Sequence, residues 1–304
     1  MNESAPVAAA PPPKTRRHVF AARLTSTLIL WGVIVAALLW QNEWGIAGVM
    51  AFFGLAGVAE YHRLMGAGAD MRAHGVLGML VALGWWIAVF YWMAQHGAEG
   101  GGPPMWMDLV ALTISLQGGF LLSYRRELEG ERTLRRVFAV VFGTLYGVVS
   151  FGFLLRVMDC RPGPGMGGLW LALFLILVTK FSDMGAYVIG VLFGRHKMIP
   201  HISPAKSWEG LVGAFLGAFG GAALLMGLMA DKLAPLTWMH AMVLAPLLCA
   251  VAVSGDLAES VLKRCVAIKD SGHKLPGIGG ILDLTDSLIF TAPVFYFYLQ
   301  VLGV

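Results

Sequence analysis

Apolar residues in this chain run in long unbroken stretches; they neither alternate nor recur as a narrow stripe. With only Asp, Glu, Lys and Arg read as breaks, charge-free runs cover 24–42, 73–98, 137–155, 162–179, 210–230, 233–255 and 287–304. About 18 such residues, coiled as a helix, cross the hydrocarbon core of a bilayer. The shorter runs 44–59 and 109–124 reach that length once a boundary charge snorkels to the interface. A further apolar stretch, 184–194, follows 162–179 with only Lys180 and Asp183 interrupting. The pattern predicts one long or broken helix over 166–194 that carries both charges. The expected architecture is an all-α polytopic integral membrane protein with nine crossings.

The loops orient those crossings. With the N-terminus inside, Arg156, Arg161 and Lys232 fall in outer loops and Lys180 lies within a span. The other 18 of the 22 Lys and Arg residues then sit on the inner side. Basic loops are retained in the cytoplasm. The bias therefore predicts a cytoplasmic N-terminus, an outer C-terminus and residence in the cytoplasmic (inner) membrane of a bacterial-type cell. Residues 1–20, rich in Pro and Ala, read as a disordered cytoplasmic tail. The run after them is long for a signal-peptide core and no small-residue cleavage site follows, which favours a retained anchor. Residues 21–160 are expected to form five N-terminal transmembrane helices. Residues 161–304 are expected to form a catalytic transmembrane domain with a cytoplasmic loop over 254–287.

Composition removes the alternatives. A length of 304 residues alone would suggest two soluble domains, but AVILMFWYC account for 58% of the chain and charged residues for 13%. That is about half the usual charged share of ~25%, too little to cover soluble globules. The net charge of +4 follows from the inner loops, so no nucleic-acid partner is implied. Cys160, Cys249 and Cys265 fall in separate segments with no metal-ligand spacing. No P-loop, no GxGxxG after a strand and no HExxH occurs.

Charges that remain inside the apolar pattern locate the chemistry. Lys180 and Asp183, three apart, share one helical face and can neutralise each other; charges within a span are functional candidates by default. The segment 193–210, FGRHKMIPHISPAKSWEG, combines Gly, Pro, Ser and basic residues between two spans, a composition suited to a phosphate group. His196 and His201 within it read as ordinary loop residues. The segment 254–287 holds five of the 18 acidic residues. Asp256, Glu259 and Lys263 fall at i, i+3 and i+7, one helical face, and Asp283 and Asp286 are three apart at the start of the last span. Between them runs the turn LPGIGG, where backbone can approach a ligand closely. Carboxylates brought together from two helices bind a hard divalent cation through oxygen, and Mg²⁺ takes one or two of them plus substrate phosphates. Without a metal, the same acids would raise one another's pKa and serve in proton transfer. Lys263, Arg264, Lys269 and Lys274 suit phosphates, and His273 lies close enough in sequence to join them.

Ser260, Lys263, Arg264, Lys269, Asp270, Gly279, Gly280, Asp283 and Asp286 also match, in order and spacing, the pattern S-x-x-K-R-x4-K-D … G-G-x-x-D-R-x-D. This segment resembles the signature of the phosphatidate cytidylyltransferases, or CDP-diacylglycerol synthases. The preceding G-D-L-x-E-S (Gly255, Asp256, Glu259, Ser260) and the upstream blocks Ser182–Tyr187, Phe193–Lys197 and Ile202–Gly210 are similar to the family's. The motif likeness covers about residues 180–290; the first 160 resemble the family in hydropathy alone. Two positions depart from the pattern: Ile278 stands where His is common, and Leu284 where Arg is common.

The resemblance implies a nucleotidyltransferase of phospholipid biosynthesis. It would convert CTP and phosphatidate to CDP-diacylglycerol and pyrophosphate, with Mg²⁺ as cofactor. By that likeness Asp256 and Asp283 are metal ligands supported by Asp286 and Glu259. Lys263, Arg264 and Lys269 hold CTP phosphates, with Ser260, His273, Gly279 and Gly280 nearby. Ser203 and Lys206 engage the lipid phosphate or the nucleotide. Asp270 either orders the turn or contacts cytosine, and Lys180 and Asp183 form the floor of the site. Expected partners are phosphatidate, CTP, the bilayer and a second copy of the chain. A membrane transporter with buried charge pairs, a CTP-dependent polyprenol or phytol kinase, and a lipid-binding paralogue are the competing readings.

Overall fold

The structure is a computed structural model. It describes residues 42–66, 71–97, 102–125, 127–160, 167–266 and 280–304, with 32 and 36 as isolated positions. The tail 1–20 and the expected first span, 24–42, apart from 32, 36 and 42, lie outside the described residues.

Among the described residues eight helical rods follow one another: α1 (Glu43–Met65), α2 (Arg72–His96), α3 (Met105–Ser123), α4 (Glu131–Asp159), α5 (Leu169–Phe193), α6 (Trp208–Met229), α7 (Trp238–Cys265) and α8 (Ile281–Val301). The first seven are long and apolar enough to cross a membrane, and α8 adds a further 21 residues. The chain is a multi-pass membrane protein by this measure. Its outer surface agrees: Phe52, Leu80, Ile87, Leu109, Leu216 and Leu228 are exposed, which suits contact with lipid tails and not with water.

The expected helix over 166–194 is α5, one unbroken helix of 25 residues. α4 is longer than its charge-free run, 137–155, and contains a π-helical turn, Leu145–Val149. Arg156, expected in an outer loop, instead lies in the last turn of α4. Its guanidinium reaches Asp108 of α3 at 2.8 Å, and both side chains are buried. Trp85 Nε1 donates to the same carboxylate, so a charge that reads as a loop marker is an internal tie. The segment 254–287, expected as a loop, is helical at both ends: α7 continues to Cys265 and α8 begins at Ile281. Its charges look like breaks on a hydropathy scale, but Lys263 pairs with Glu259 and Asp283, and Asp256 with Lys206, within the bundle.

α5 and α6 form the most extensive helix pair. They approach closely because Gly185, Gly213 and Gly217 lie at the crossing, where a Cβ on any of them would run into the facing backbone. Between the two helices an antiparallel hairpin, β1 (Lys197–Ile199) and β2 (Ser203–Ser207), occupies the segment read as a basic loop. Ser207 caps α6 by accepting from Gly210 N at 3.1 Å. Glu209 accepts from the backbone N–H groups of Arg195 and His196, which holds the hairpin to the start of α6. Contacts such as Lys263 with Asp283, Arg264 with Ile202 and Glu60 with Ile281 gather the C-terminal ends of α1 and α7, the hairpin and the N-terminal end of α8 at one end of the bundle.

Candidate active site

At that end lies a cavity of about 510 Å³ between α5, β2, α6, α7 and α8. Its polar wall contains Asp183, Lys206, Asp256, Glu259, Lys263 and Asp286, together with Ser203, Asp283 and Ser287. Its apolar wall contains Ala186, Tyr187, Val191, Leu211 and Ala214. Residues spaced over a hundred positions in sequence therefore share one pocket.

The helical spacing explains the polar wall. Asp256, Glu259 and Lys263 lie on one face of α7. Lys263 Nζ donates to Glu259 Oε2 at 2.8 Å and to Asp283 Oδ1 at 2.6 Å. Asp283 Oδ2 also accepts from Gly280 N at 2.7 Å, which satisfies an N–H at the entry of α8 that has no partner within the helix. Lys206 reaches across from β2 to Asp256 at 2.8 Å and to the Val253 carbonyl at 3.3 Å. Asp256, Glu259 and Asp286 each place a carboxylate oxygen within 4.8 Å of the others. Glu259 is buried, and its Oε1 has no hydrogen-bond partner among the described residues. Asp286 Oδ1 accepts from Ser287 N and Oγ at 2.6 and 3.0 Å.

The floor is formed by α5 and α8. Lys180 Nζ lies 3.2 Å from Asp183 Oδ2, the pairing expected from their spacing, and it also donates to the Leu284 carbonyl at 3.0 Å. Leu284, where an Arg is common in the signature, is buried; its side chain faces the packing and its backbone takes the cationic contact. Arg264 turns from the acids and donates through Nε to the Ile202 carbonyl of the hairpin. Ser260 lies on α7 one residue beyond Glu259 and does not line the cavity. Gly280 is the residue before α8. Lys269, Asp270, His273, Ile278 and Gly279 lie outside the described residues.

Two contributors have no sequence signal. Glu60 of α1 is fully buried and accepts from Ile281 N at 2.8 Å. Tyr146, in the π-helical turn of α4, clusters with Tyr61 and Phe142, stacking on each, and meets Phe290 edge-on. Both come from the half of the chain that resembles the family in hydropathy alone, and neither falls in a motif. Glu60 reads as a span-boundary charge and Tyr146 as one more apolar residue.

A sequence model of the cytidylyltransferase family matches residues 21–302, and the chain belongs to this family. It is 35% identical over 195 residues to YnbB, an uncharacterized protein of Escherichia coli strain K12, with 64% of each chain covered. It is 37% identical over 163 residues to a phosphatidate cytidylyltransferase of Haemophilus influenzae, covering 53% of this chain and 56% of the relative. It is also 37% identical over 166 residues to a phosphatidate cytidylyltransferase of Mycobacterium bovis, covering 55% and 50%. The matches thus span between half and just under two thirds of these curated relatives.

Proposed function

We propose that this chain is a Mg²⁺-dependent phosphatidate cytidylyltransferase that forms CDP-diacylglycerol and pyrophosphate from CTP and phosphatidate. The observation that carries the reading is the two-sided cavity: acids and lysines on one wall, Ala186, Tyr187, Val191, Leu211 and Ala214 on the other. A phosphorylated lipid has the same duality. Membership of the cytidylyltransferase family and relatives named phosphatidate cytidylyltransferase support it.

The donor set fits a hard cation. Asp256, Glu259 and Asp286 offer only oxygen, their atoms converge, and Glu259 Oε1 is buried without a partner among the described residues. These three would hold Mg²⁺, with Asp283 in support through Lys263. This ranks Asp286 and Glu259 above Asp283, the reverse of the order that the signature alone suggests. Bound there, the ion would supply charge stabilisation for the α-phosphate and the departing pyrophosphate.

The chain's own cations do the positioning. An ammonium has three donors. Lys206 uses two on Asp256 and Val253, and Lys263 uses two on Glu259 and Asp283. Each keeps one for a phosphate oxygen. Ser203 lines the same wall and serves the lipid phosphate or the nucleotide. Lys180 and Asp183 close the floor as a neutral pair. Lys269, His273, Gly279 and Gly280 take nucleotide-facing roles from the family signature, and Asp270 either orders the turn or contacts cytosine; Ser260 and Arg264, which the signature also places there, lie outside the cavity lining. A phosphate monoester loses its second proton near pH 6, so the attacking oxygen of phosphatidate needs no strong base. It bonds to the α-phosphorus of CTP, the bond from that phosphorus to the bridging oxygen breaks, and the electron pair leaves with pyrophosphate.

In this reading the site faces the cytoplasm, where CTP is found, and the phosphatidate enters from the bilayer. The run 24–42 supplies a crossing ahead of α1, for nine in all, with residues 161–304 as the catalytic part. The product label tests the reaction. CTP labelled at the α-phosphorus is expected to transfer its label to the lipid, with γ-label recovered as pyrophosphate. γ-Label in the lipid with release of CDP would overturn the proposal in favour of a lipid kinase.

A further inference from the structure

The first turn of α8 is held from three sides. Glu60 Oε2, on α1, accepts from Ile281 N at 2.8 Å across 221 positions of sequence. Leu282 and Ile289 pack with Tyr61 and Tyr146, against which Phe142 and Phe290 also lie. Lys180, on α5, donates to the Leu284 carbonyl at 3.0 Å. Residues 281, 282 and 284 are thus tied to α1, to the aromatic group and to α5, and Asp283 and Asp286 remain for the cavity.

Glu60 stands out among these ties. It is fully buried and, among the described residues, its Oε1 has no hydrogen-bond partner and its one polar contact is a backbone N–H of the site-bearing helix. Burying a carboxylate is costly unless it is hydrogen-bonded or faces opposite charge. The N-terminal dipole of a 21-residue helix supplies part of that compensation. Among the described residues, the height of Asp286 beside Asp256 and Glu259 is set by the contacts of α8 with Glu60, Lys180 and Lys263.

We propose that Glu60 is a positioning residue for the acid group: its carboxylate anchors the first amide of α8 and so fixes Asp286 against Asp256 and Glu259. The proposal rests on the reading that these three acids hold the divalent cation. It gives the N-terminal half of the chain a defined part in the site besides membrane anchorage.

The reach of the side chain, and not its charge, is the property at stake, and two substitutions separate them. Glu60→Gln keeps the length and an acceptor oxygen but loses the charge. Glu60→Asp keeps the charge but is one methylene too short. Ile281→Pro removes the donor from the other side; Pro is tolerated at the first position of a helix, and Gly280, extended at φ −92° and ψ 175°, can precede it. The probe is Mn²⁺, titrated into the detergent-purified full chain and followed by its EPR signal, with Asp286→Asn as the direct-ligand control. Thermal midpoints are recorded for each protein.

Glu60→Gln is expected to bind Mn²⁺ within about twofold of wild type. Glu60→Asp and Ile281→Pro are expected to bind about tenfold more weakly, the scale for lost partners of metal ligands, while remaining folded. The concentration of Mg²⁺ for half-maximal turnover should rise in parallel, with KM for CTP little changed. Wild-type binding in folded Glu60→Asp or Ile281→Pro, beside lost binding in Asp286→Asn, would overturn the positioning role and leave the cation reading standing. Absence of Mn²⁺ binding in the wild type would overturn both. Where only one of the two weakened variants folds, that one decides; unfolding of both would overturn the proposal in favour of a purely structural contact.

Discussion

Lys206 and Lys263 place ammonium groups within 2.8 Å of Asp256, Glu259 and Asp283, whereas Asp286 accepts from Ser287. This division separates two acids that the family likeness ranks the other way, Asp283 ahead of Asp286. Asp286 converges with Asp256 and Glu259; Asp283 caps its own helix and fixes Lys263. Asp286→Asn is therefore expected to lower turnover by about 100-fold or more through lost cation binding. Asp283→Asn keeps an acceptor for Gly280 or Lys263 and is expected to lower turnover by about tenfold, with the half-saturating Mg²⁺ little moved. Steady-state rates across a Mg²⁺ titration check both; equal effects, or the reverse order, would contradict the division. Much of this site is legible in the residues, because i, i+3 and i+7 spacing puts Asp256, Glu259 and Lys263 on one face whatever surrounds them. The pairs Lys206–Asp256, Arg156–Asp108 and Glu60–Ile281 are not legible. They join residues 48 to 221 positions apart, and hydropathy treats each charge as a boundary.

At the scale of elements, the α5–α6 pair aligns Lys180 and Asp183 with the hairpin that delivers Lys206. Its closeness depends on glycine. A Cβ at Gly217 would meet the Phe181 carbonyl, whereas one at Gly220, on the same helix, meets nothing within 4 Å. Gly217→Ala is expected to destabilise by about 1–3 kcal/mol through overpacking. Gly220→Ala should be neutral or stabilising by up to ~1 kcal/mol, since Ala favours the helix. Thermal unfolding in detergent distinguishes them, and equal midpoints would contradict the packing argument. The helices themselves follow from the charge-free runs, and their ends move outward wherever a charge finds a partner inside, as at Arg156 and over 254–265. The hairpin β1–β2 escapes the pattern because strands of three and five residues, interrupted by Pro200 and Pro204, are too short for alternation to register.

For the whole molecule, an apolar exterior, one polar end and a cavity with both kinds of wall fit the proposed enzyme, which would take one substrate from water and the other from lipid. The basic residues of the hairpin and of the C-terminal end of α7 lie at that same end, the side that the loop bias predicts to be cytoplasmic. The most direct test of the central claim is pyrophosphate release from CTP by the detergent-purified protein, measured with and without phosphatidate, in Mg²⁺ and in EDTA. Release that requires both the lipid and the metal is the predicted result. Release without phosphatidate, undiminished release in EDTA, or none from well-folded protein supplied with both would contradict it.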